Sequence, residues 1–275
     1  MKSKTWRLLL TPEATNGAWN MALDEALLRS VAEHHSPPTL RLFSWQPATL
    51  SLGFAQPAVD VDHDNLARLG WGLVRRPTGG RAILHVDELT YSLTVAADDP
   101  LLSGDLLESY RKISRGLLAG LSRLRVTAAG DATYENTPPG KVNNPVCFEI
   151  PSNYEIISGG KKLIGSAQAR KYGGILQHGT LPIHGDITRI TRVLKFSSEE
   201  DRAKAAEKLT AHAVTLETVL GDAPEWMTVA NAIVEGFSEI FEISFIDSHP
   251  DSSEIESANQ FMSEKYISDT WTFRI

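Results

Sequence analysis

The chain has one cysteine among 275 residues, Cys147, and it is the side chain best suited to nucleophilic chemistry. By itself a lone cysteine reads as a small buried hydrophobe. This one follows a stretch from Asp131 to Pro145 that is rich in Asn, Gly and Pro. Such a stretch reads as a loop, where functional side chains concentrate. A thiol becomes a nucleophile when a neighbouring cation or base favours its thiolate. Lys162 could supply that cation from the hairpin that follows, although most hairpin lysines simply sit in water. Gly165, Ser166 and Ala167 come next, small enough to leave room for a thin, extended ligand.

A second cluster runs Arg75-Arg76-Pro77-Thr78-Gly79-Gly80-Arg81 at a strand-to-loop junction. Glycines let a backbone approach a ligand closely, and exposed N–H groups there can hold a carbonyl or a phosphate. The alternative is a surface turn with solvated arginines. The pattern has neither the Gly-Lys-Ser/Thr ending of a phosphate-binding loop nor the spacing of a dinucleotide fold. His85 and His178 lie in strand-like segments, where a histidine is either a satisfied core residue or a site base. His178 and His184 show no zinc spacing and only one cysteine is available, so no structural metal is expected.

These residues need elements to hold them. Apolar positions 19, 22, 23, 26 and 27 predict a helix over Trp19 to Leu28. Strands are expected at Leu40 to Trp45, Thr49 to Gly53, Gly72 to Arg76, Ala82 to His85 and Leu89 to Val95. A short helix is expected from Asp64 to Leu69, and Leu106 to Leu124 carries the strongest helical pattern. Val126 is expected to open a strand. Gly159-Gly160 reads as a tight turn between Tyr154–Ile157 and Lys161–Ala167. Gly174 to Leu181 reads as another strand. Helices follow at Glu199 to Leu209, Thr215 to Leu220, Thr228 to Phe241 and Ser253 to Tyr266, before a strand-like tail. Strands up to about residue 185 with helices flanking and following them predict an α+β fold. No linker divides the chain, so one domain over residues 1–275 with a helical C-terminal segment is expected.

Composition limits the function classes. The chain is 42% hydrophobic and 22% charged, enough for a sizeable core. A net charge of −7 argues against phosphate-backbone binding as the main task, so no nucleic-acid partner is expected. No run approaches the roughly 18 apolar residues of a membrane span. One thiol and no recognisable leader predict a cytoplasmic protein, as a monomer.

Taken together, Trp19-Asn20-Met21-Ala22-Leu23-Asp24, the Arg75–Ala82 stretch, Glu88-Leu89-Thr90-Tyr91-Ser92, Cys147-Phe148, Lys162-Leu163-Ile164-Gly165-Ser166-Ala167-Gln168 and Leu176-Gln177-His178-Gly179-Thr180-Leu181 resemble the biotin/lipoate protein ligase and octanoyltransferase family. The match covers nearly the whole chain. Its nearest branch is the cysteine-dependent octanoyltransferases that load the glycine-cleavage H protein. The resemblance implies a mixed sheet flanked by helices, as in biotin ligases and class II synthetase cores. It implies Cys147 as thioester-forming nucleophile and Lys162 as the group holding the acyl carbonyl. It places Arg76, Thr78, Gly79, Gly80, His85, Gly165, Ser166, Ala167 and His178 around the substrate. Acyl carrier protein is the implied donor and the H protein, or another lipoyl domain, the acceptor, with no cofactor. Alternatives are an ATP-dependent lipoate ligase, an octanoyl amidotransferase between lipoyl domains, and a carrier that binds acyl chains without turnover. One departure is that Val86 separates His85 from Asp87, where family members often have His-Asp. Acidic carriers would need a local basic surface, expected from Arg75, Arg81, Lys161, Arg170 and Lys171.

Overall fold

The computed structural model describes residues 4–130 and 155–275. Cys147 and Phe148, and the expected loop from Asp131 to Pro145, lie outside the described residues.

A mixed sheet forms the centre. Its strands are β1 (Lys4–Thr15), β2 (Thr39–Trp45), β6 (Glu88–Ala96), β7 (Ala129–Gly130), β8 (Ile156–Ser158), β9 (Lys161–Lys171), β10 (Gly174–Pro182) and β11 (Ile243–Asp247), in the order β11-β1-β2-β6-β10-β9-β8-β7. β1 runs parallel to both β2 and β11, and the other pairings are antiparallel. A smaller sheet holds β4 (Gly72–Arg75), β3 (Thr49–Leu52) and β5 (Ile83–His85), in that order. The expected mixed sheet flanked by helices is the observed architecture.

Helix α1 (Gly17–Ala32) starts where the Asn16 side chain accepts the Trp19 N–H, satisfying one of the orphan donors of a first turn. It lies on one face of the main sheet, above β6 and β10. Helices α3 (Leu106–Arg123) and α6 (Trp226–Phe241) cover the other face. There Ile113, Leu117 and Leu121 meet Ile233 and Phe237 over Tyr91, Leu93 and Val95. Alternation along β6 sorts its side chains: Leu89, Tyr91, Leu93 and Val95 face this apolar core, while Thr90 and Ser92 face the α1 side.

Sequence and structure part in several places. Val126 is buried but starts no strand; the pairing begins at Ala129 and spans two residues. The tail is not strand-like: Asp269–Thr272 forms a short helix, α8. β1 is a full strand whose polar second half hid it, and Pro12 sits where its register to β2 shifts, a position that tolerates a missing N–H.

α3 and α6 approach closely at Gly120 and Gly236. A Cβ on Gly236 would stand 2.3 Å from the Gly120 nitrogen, and one on Gly120 would stand 2.8 Å from the Ile233 Cα. Both obstacles are backbone, so a side chain cannot swing away. Gly236→Ala should therefore lower the unfolding free energy by about 1–3 kcal/mol, as overpacking does. Denaturant unfolding checks this as a fall in midpoint at unchanged slope; an unchanged midpoint would contradict the close packing.

Candidate functional site

Part of the expected set is brought together on the α1 face of the main sheet, where Thr78 meets His178. Antiparallel pairing sets His178 opposite both Ser92 and Ala167, and Thr180 opposite both Thr90 and Gly165. Directly opposed residues share a face, so Gly165 and Ala167 lie beside Thr180 and His178. Ser166 departs from the expectation. Its Oγ lies 2.6 Å from the Tyr91 hydroxyl, on the α3 side. Gln177 donates to the same hydroxyl at 2.9 Å. Burial pushes the Tyr91 phenol up to about 12, which keeps its proton in place.

Two histidine chains organise the polar layer. His178 Nε2 is 2.7 Å from the Thr78 hydroxyl and Nδ1 is 3.3 Å from Asp24 Oδ2. All three residues are buried. Burial holds the His178 pKa below its ordinary value, so the ring is neutral. Burial alone would raise Asp24, but the His178 hydrogen bond and the Arg41 charge outweigh it and hold Asp24 low, as a carboxylate. Nδ1–H therefore donates to Asp24, and Nε2 accepts from Thr78. The second chain starts at His85, stacked on Trp45 with centroids 4.0 Å apart. Its Nδ1 is 2.7 Å from Glu88 Oε1 and its Nε2 is 2.8 Å from Ser51 Oγ. Thr90 and Thr180 donate to the two oxygens of Glu88.

The arginine-glycine stretch hangs from these chains. Arg76 donates to the carbonyls of Ser51, Gly79 and Arg81, shaping its own loop. Gly80 has φ of +93°, a backbone that favours glycine, and its carbonyl lies 1.8 Å from where a Cβ on Gly53 would sit. Arg75 is a correction to the expected basic surface. It is fully buried, and its guanidinium donates to the carbonyls of Gly53, Gln56 and Thr272 at 2.8, 2.6 and 2.7 Å. Lys171, expected on the same surface, is half-exposed and pairs with the buried Glu25 at 2.5 Å. Burial raises the Glu25 carboxyl, but Lys265, Lys171 and Tyr266 outweigh it and hold it at about 2.

Lys162 is no solvated hairpin lysine. It is buried, and its Nζ is ion-paired with Glu155 Oε1. Glu155 was not among the expected site residues; a carboxylate seven positions ahead of Lys162, across a Gly-Gly turn, was the available signal. Asp24, too, was noticed only as part of a helix motif. The Val86 insertion is absorbed by Asp87, which takes a φ of +51°, accepts from the Ile183 N–H and pairs with Arg189 at 2.6 Å. Among the described residues no three His, Cys, Asp or Glu are placed to hold a metal, and no helix is long and apolar enough to cross a membrane.

Residues 16–238 match the model of the lipoyl protein ligase A/B catalytic domain. This chain belongs to that family. It is 40% identical over 274 residues to a protein of Kyrpidia tusciae named octanoyltransferase LipM, covering 98% of this chain and 99% of that one. It is 34% identical to the Bacillus subtilis octanoyltransferase LipM, over the whole of both chains. Among solved structures it is similar to a chain from a study of a bi-partite lipoate protein ligase and its E2 lipoyl domain from Thermoplasma acidophilum, with TM-score 0.81, 26% identity and coverage of 98% and 96%. It is also similar to a lipoate-protein ligase A bound with ATP, with TM-score 0.77, 26% identity and 98% of both chains covered. In this member of the family the sheet face under α1 carries the polar layer, and the arginine-glycine loop closes over it.

The neutral, buried His178 gives a signed pH effect. Unfolded, the ring takes up a proton below its ordinary value of 6.5; folded, it resists until lower pH. The stability is thus fully present above about pH 6.5 and is lost as pH falls toward the folded-state pKa. The unfolding free energy of the wild type should fall more steeply below that pH than that of His178→Gln. Parallel slopes in denaturant unfolding at a series of pH values would contradict a neutral His178.

Proposed function

We propose that this protein is an acyltransferase of protein lipoylation, moving octanoyl from acyl carrier protein to a lysine of a lipoyl-carrier protein, with the glycine-cleavage H protein as acceptor. The full-length likeness to proteins named octanoyltransferase carries this reading. The buried Lys162 and the single Cys147, in the order the resemblance implies, supply the chemistry.

The reaction divides into two exchanges at one sulfur. The Cys147 thiolate bonds to the octanoyl carbonyl carbon, and the bond from that carbon to the carrier's phosphopantetheine sulfur breaks. The carrier thiolate leaves and takes a proton from solvent. In the second exchange the acceptor's neutral lysine amine bonds to the same carbon, the Cys147 C–S bond breaks, and the amine proton is lost as the thiolate is regenerated. One thioester replaces another of similar energy, and the final amide is the more stable product, so no nucleotide is consumed. A buried ammonium at Lys162 stabilises the oxyanion in both exchanges more strongly than the same charge in water would. An octanoyl chain of about seven carbons beyond the carbonyl contributes several kcal/mol when buried, at roughly 0.8 kcal/mol per methylene.

A lipoate ligase reading draws on the similarity to an ATP-bound ligase, at lower identity. Nucleotide dependence separates the two. Octanoyl transfer from octanoyl–acyl carrier protein to H protein should proceed without ATP. Intact-mass spectrometry should find one octanoyl adduct on Cys147, and Cys147→Ala should lose transfer by at least about a thousandfold while keeping its fold. Transfer that requires ATP, or a Cys147→Ala protein that remains active, would overturn the reading.

A further inference from the structure

Two of the side chains expected to form a basic surface are engaged by the fold itself: Arg75 is buried among carbonyls, and Lys171 pairs with the buried Glu25. On β9, Lys161 and Arg170 donate to the carbonyls of Thr210 and Asp105 at 2.6 and 2.8 Å. Beyond α8, Arg274 is exposed, with its guanidinium 3.7 Å from the ring centroid of Phe54 and 4.6 Å from that of Trp271. Phe54 and Phe273 are 42% and 44% exposed, too much for core residues. We infer that the face formed by Phe54, Phe273 and Arg274 is the docking surface for the acyl carrier protein that donates octanoyl. The inference rests on the acyl-transfer reading above and says where that reading's donor binds.

The patch is built onto the arginine-glycine loop. Phe54 follows Gly53, whose carbonyl accepts from Arg75, and its own N–H donates to the Thr78 carbonyl at 2.8 Å. Arg274 donates to the Phe54 carbonyl at 2.5 Å, and Trp271 meets the Phe54 ring edge-on with centroids 5.9 Å apart. Phe273 lies edge-on to His63, the first residue of α2 (His63–Arg68). The Ala58 N–H donates to the Ile275 carbonyl at 2.8 Å. These contacts join the turn after β3 and the segment after α8 into one face. Apolar side chains left exposed together mark an interaction surface.

Charge selects an acidic occupant. Among the described residues no carboxylate is paired with Arg274 or with Arg75; both donate to backbone carbonyls. Burial, and after it the Arg274 charge, hold the Arg75 pKa below its ordinary value, so the two guanidiniums stand within each other's field. Lys265 lies 4.1 Å over Trp271, with its charge met by Glu25. Asp62, just ahead of α2, is occupied by Asn65. In a chain of net charge −7, uncompensated guanidiniums beside exposed aromatic rings draw a partner that is acidic and carries apolar side chains of its own. Reach then selects the donor over the acceptor. A lysine side chain is short, so the acceptor must seat directly over the reacting carbon. The carrier's acyl group hangs from a long phosphopantetheine arm, so the carrier surface binds outside the loop while the arm passes in.

The test compares three donors with H protein as acceptor: octanoyl–acyl carrier protein, octanoyl-coenzyme A, which keeps the arm and a phosphate, and octanoyl-pantetheine, which keeps the arm alone. In Arg274→Glu, kcat/KM for the carrier-borne donor should fall about tenfold or more through a raised KM, and its decline with added salt should flatten. Phe273→Asp should lower it in the same way. For both variants, turnover of the two small donors and the KM for H protein should stay within about twofold of wild type. A carrier-donor KM that does not rise, or an equal loss with octanoyl-pantetheine, would overturn the docking surface while leaving the acyl-transfer reading intact. An equal loss with octanoyl-coenzyme A alone would assign Arg274 to the arm's phosphate, and a loss confined to the H-protein KM would assign the face to the acceptor; either overturns the inference. Should a variant fail to fold, Arg274→Gln decides: a KM raised only for the carrier-borne donor supports the surface, and an unchanged KM removes it. A wild-type protein that transfers octanoyl from none of the three donors removes the reading, and this inference with it.

Discussion

Asp24 and Arg41 form an ion pair at 2.8 Å from which water is wholly excluded, and most of the polar interior is arranged around it. Arg41 reaches from β2 to the Asn20 carbonyl and side chain on α1 as well as to Asp24. Asp24 also accepts from Ser92 on β6 and His178 on β10. One carboxylate thus ties a helix to three neighbouring strands. A pair like this adds little net stability, because the cost of desolvating both charges cancels most of their attraction. Its effect is on choice of structure. Any register slip that moved Arg41 off Asp24 would strand a buried charge at a cost of several kcal/mol. The pair therefore fixes where α1 lies across the sheet, and so where His178 and Thr78 lie.

The site inherits that rigidity through hydroxyls. Thr78 is held to His178, which is held to Asp24. Ser51 is bonded by Arg76 and lies against His85, whose other nitrogen meets Glu88. The arginine-glycine loop is thereby pinned from both ends to strands of different sheets. Its glycines let the backbone pass within contact of Gly53, where any side chain would block it. The polar layer is built from hydroxyls, two histidines and a few acidic and basic side chains bonded to them. In such a low-dielectric layer one unpaired cation would dominate the local field.

Local patterns in the sequence made much of this legible. The alternation of Leu, Tyr, Leu and Val along β6, the Gly-Gly turn before Lys162 and the apolar stripe of α3 each report their own element. The grouping of Arg76, Thr78, His85 and His178 was legible because a resemblance ties together segments a hundred residues apart. Buried pairing was not legible. Arg75 and Lys162 carry charge, and a charged residue reads as exposed until its partner is known. The partners of Arg75 are long-range: it meets backbone carbonyls of Gly53, Gln56 and Thr272, which have no signature in side-chain type. β11 escaped for a different reason. It is an edge strand of five residues entered from α6 through a single residue, Glu242, with φ of +52°, and no turn-forming cluster announces it.

The physical unit around the site extends beyond the span that matches the family model. β1, at residues 4–15, is the strand that joins β2 to β11, and Arg7 on it makes a two-pronged bond to Glu254 on α7 (Ser252–Phe261), at 3.1 and 2.7 Å. α7 packs on α1, the helix that carries Asp24. Farther on, Trp271 donates its indole N–H to the Arg75 carbonyl at 2.9 Å while the Arg75 guanidinium donates back to Thr272. Both ends of the described chain thus close on the helix and the loop that shape the site. A guanidinium satisfied by carbonyls needs every one of those carbonyls in place, because losing one leaves a buried donor unpaired at about 1–3 kcal/mol. The residues after 238 therefore act on the arginine-glycine loop as directly as the strand it leaves.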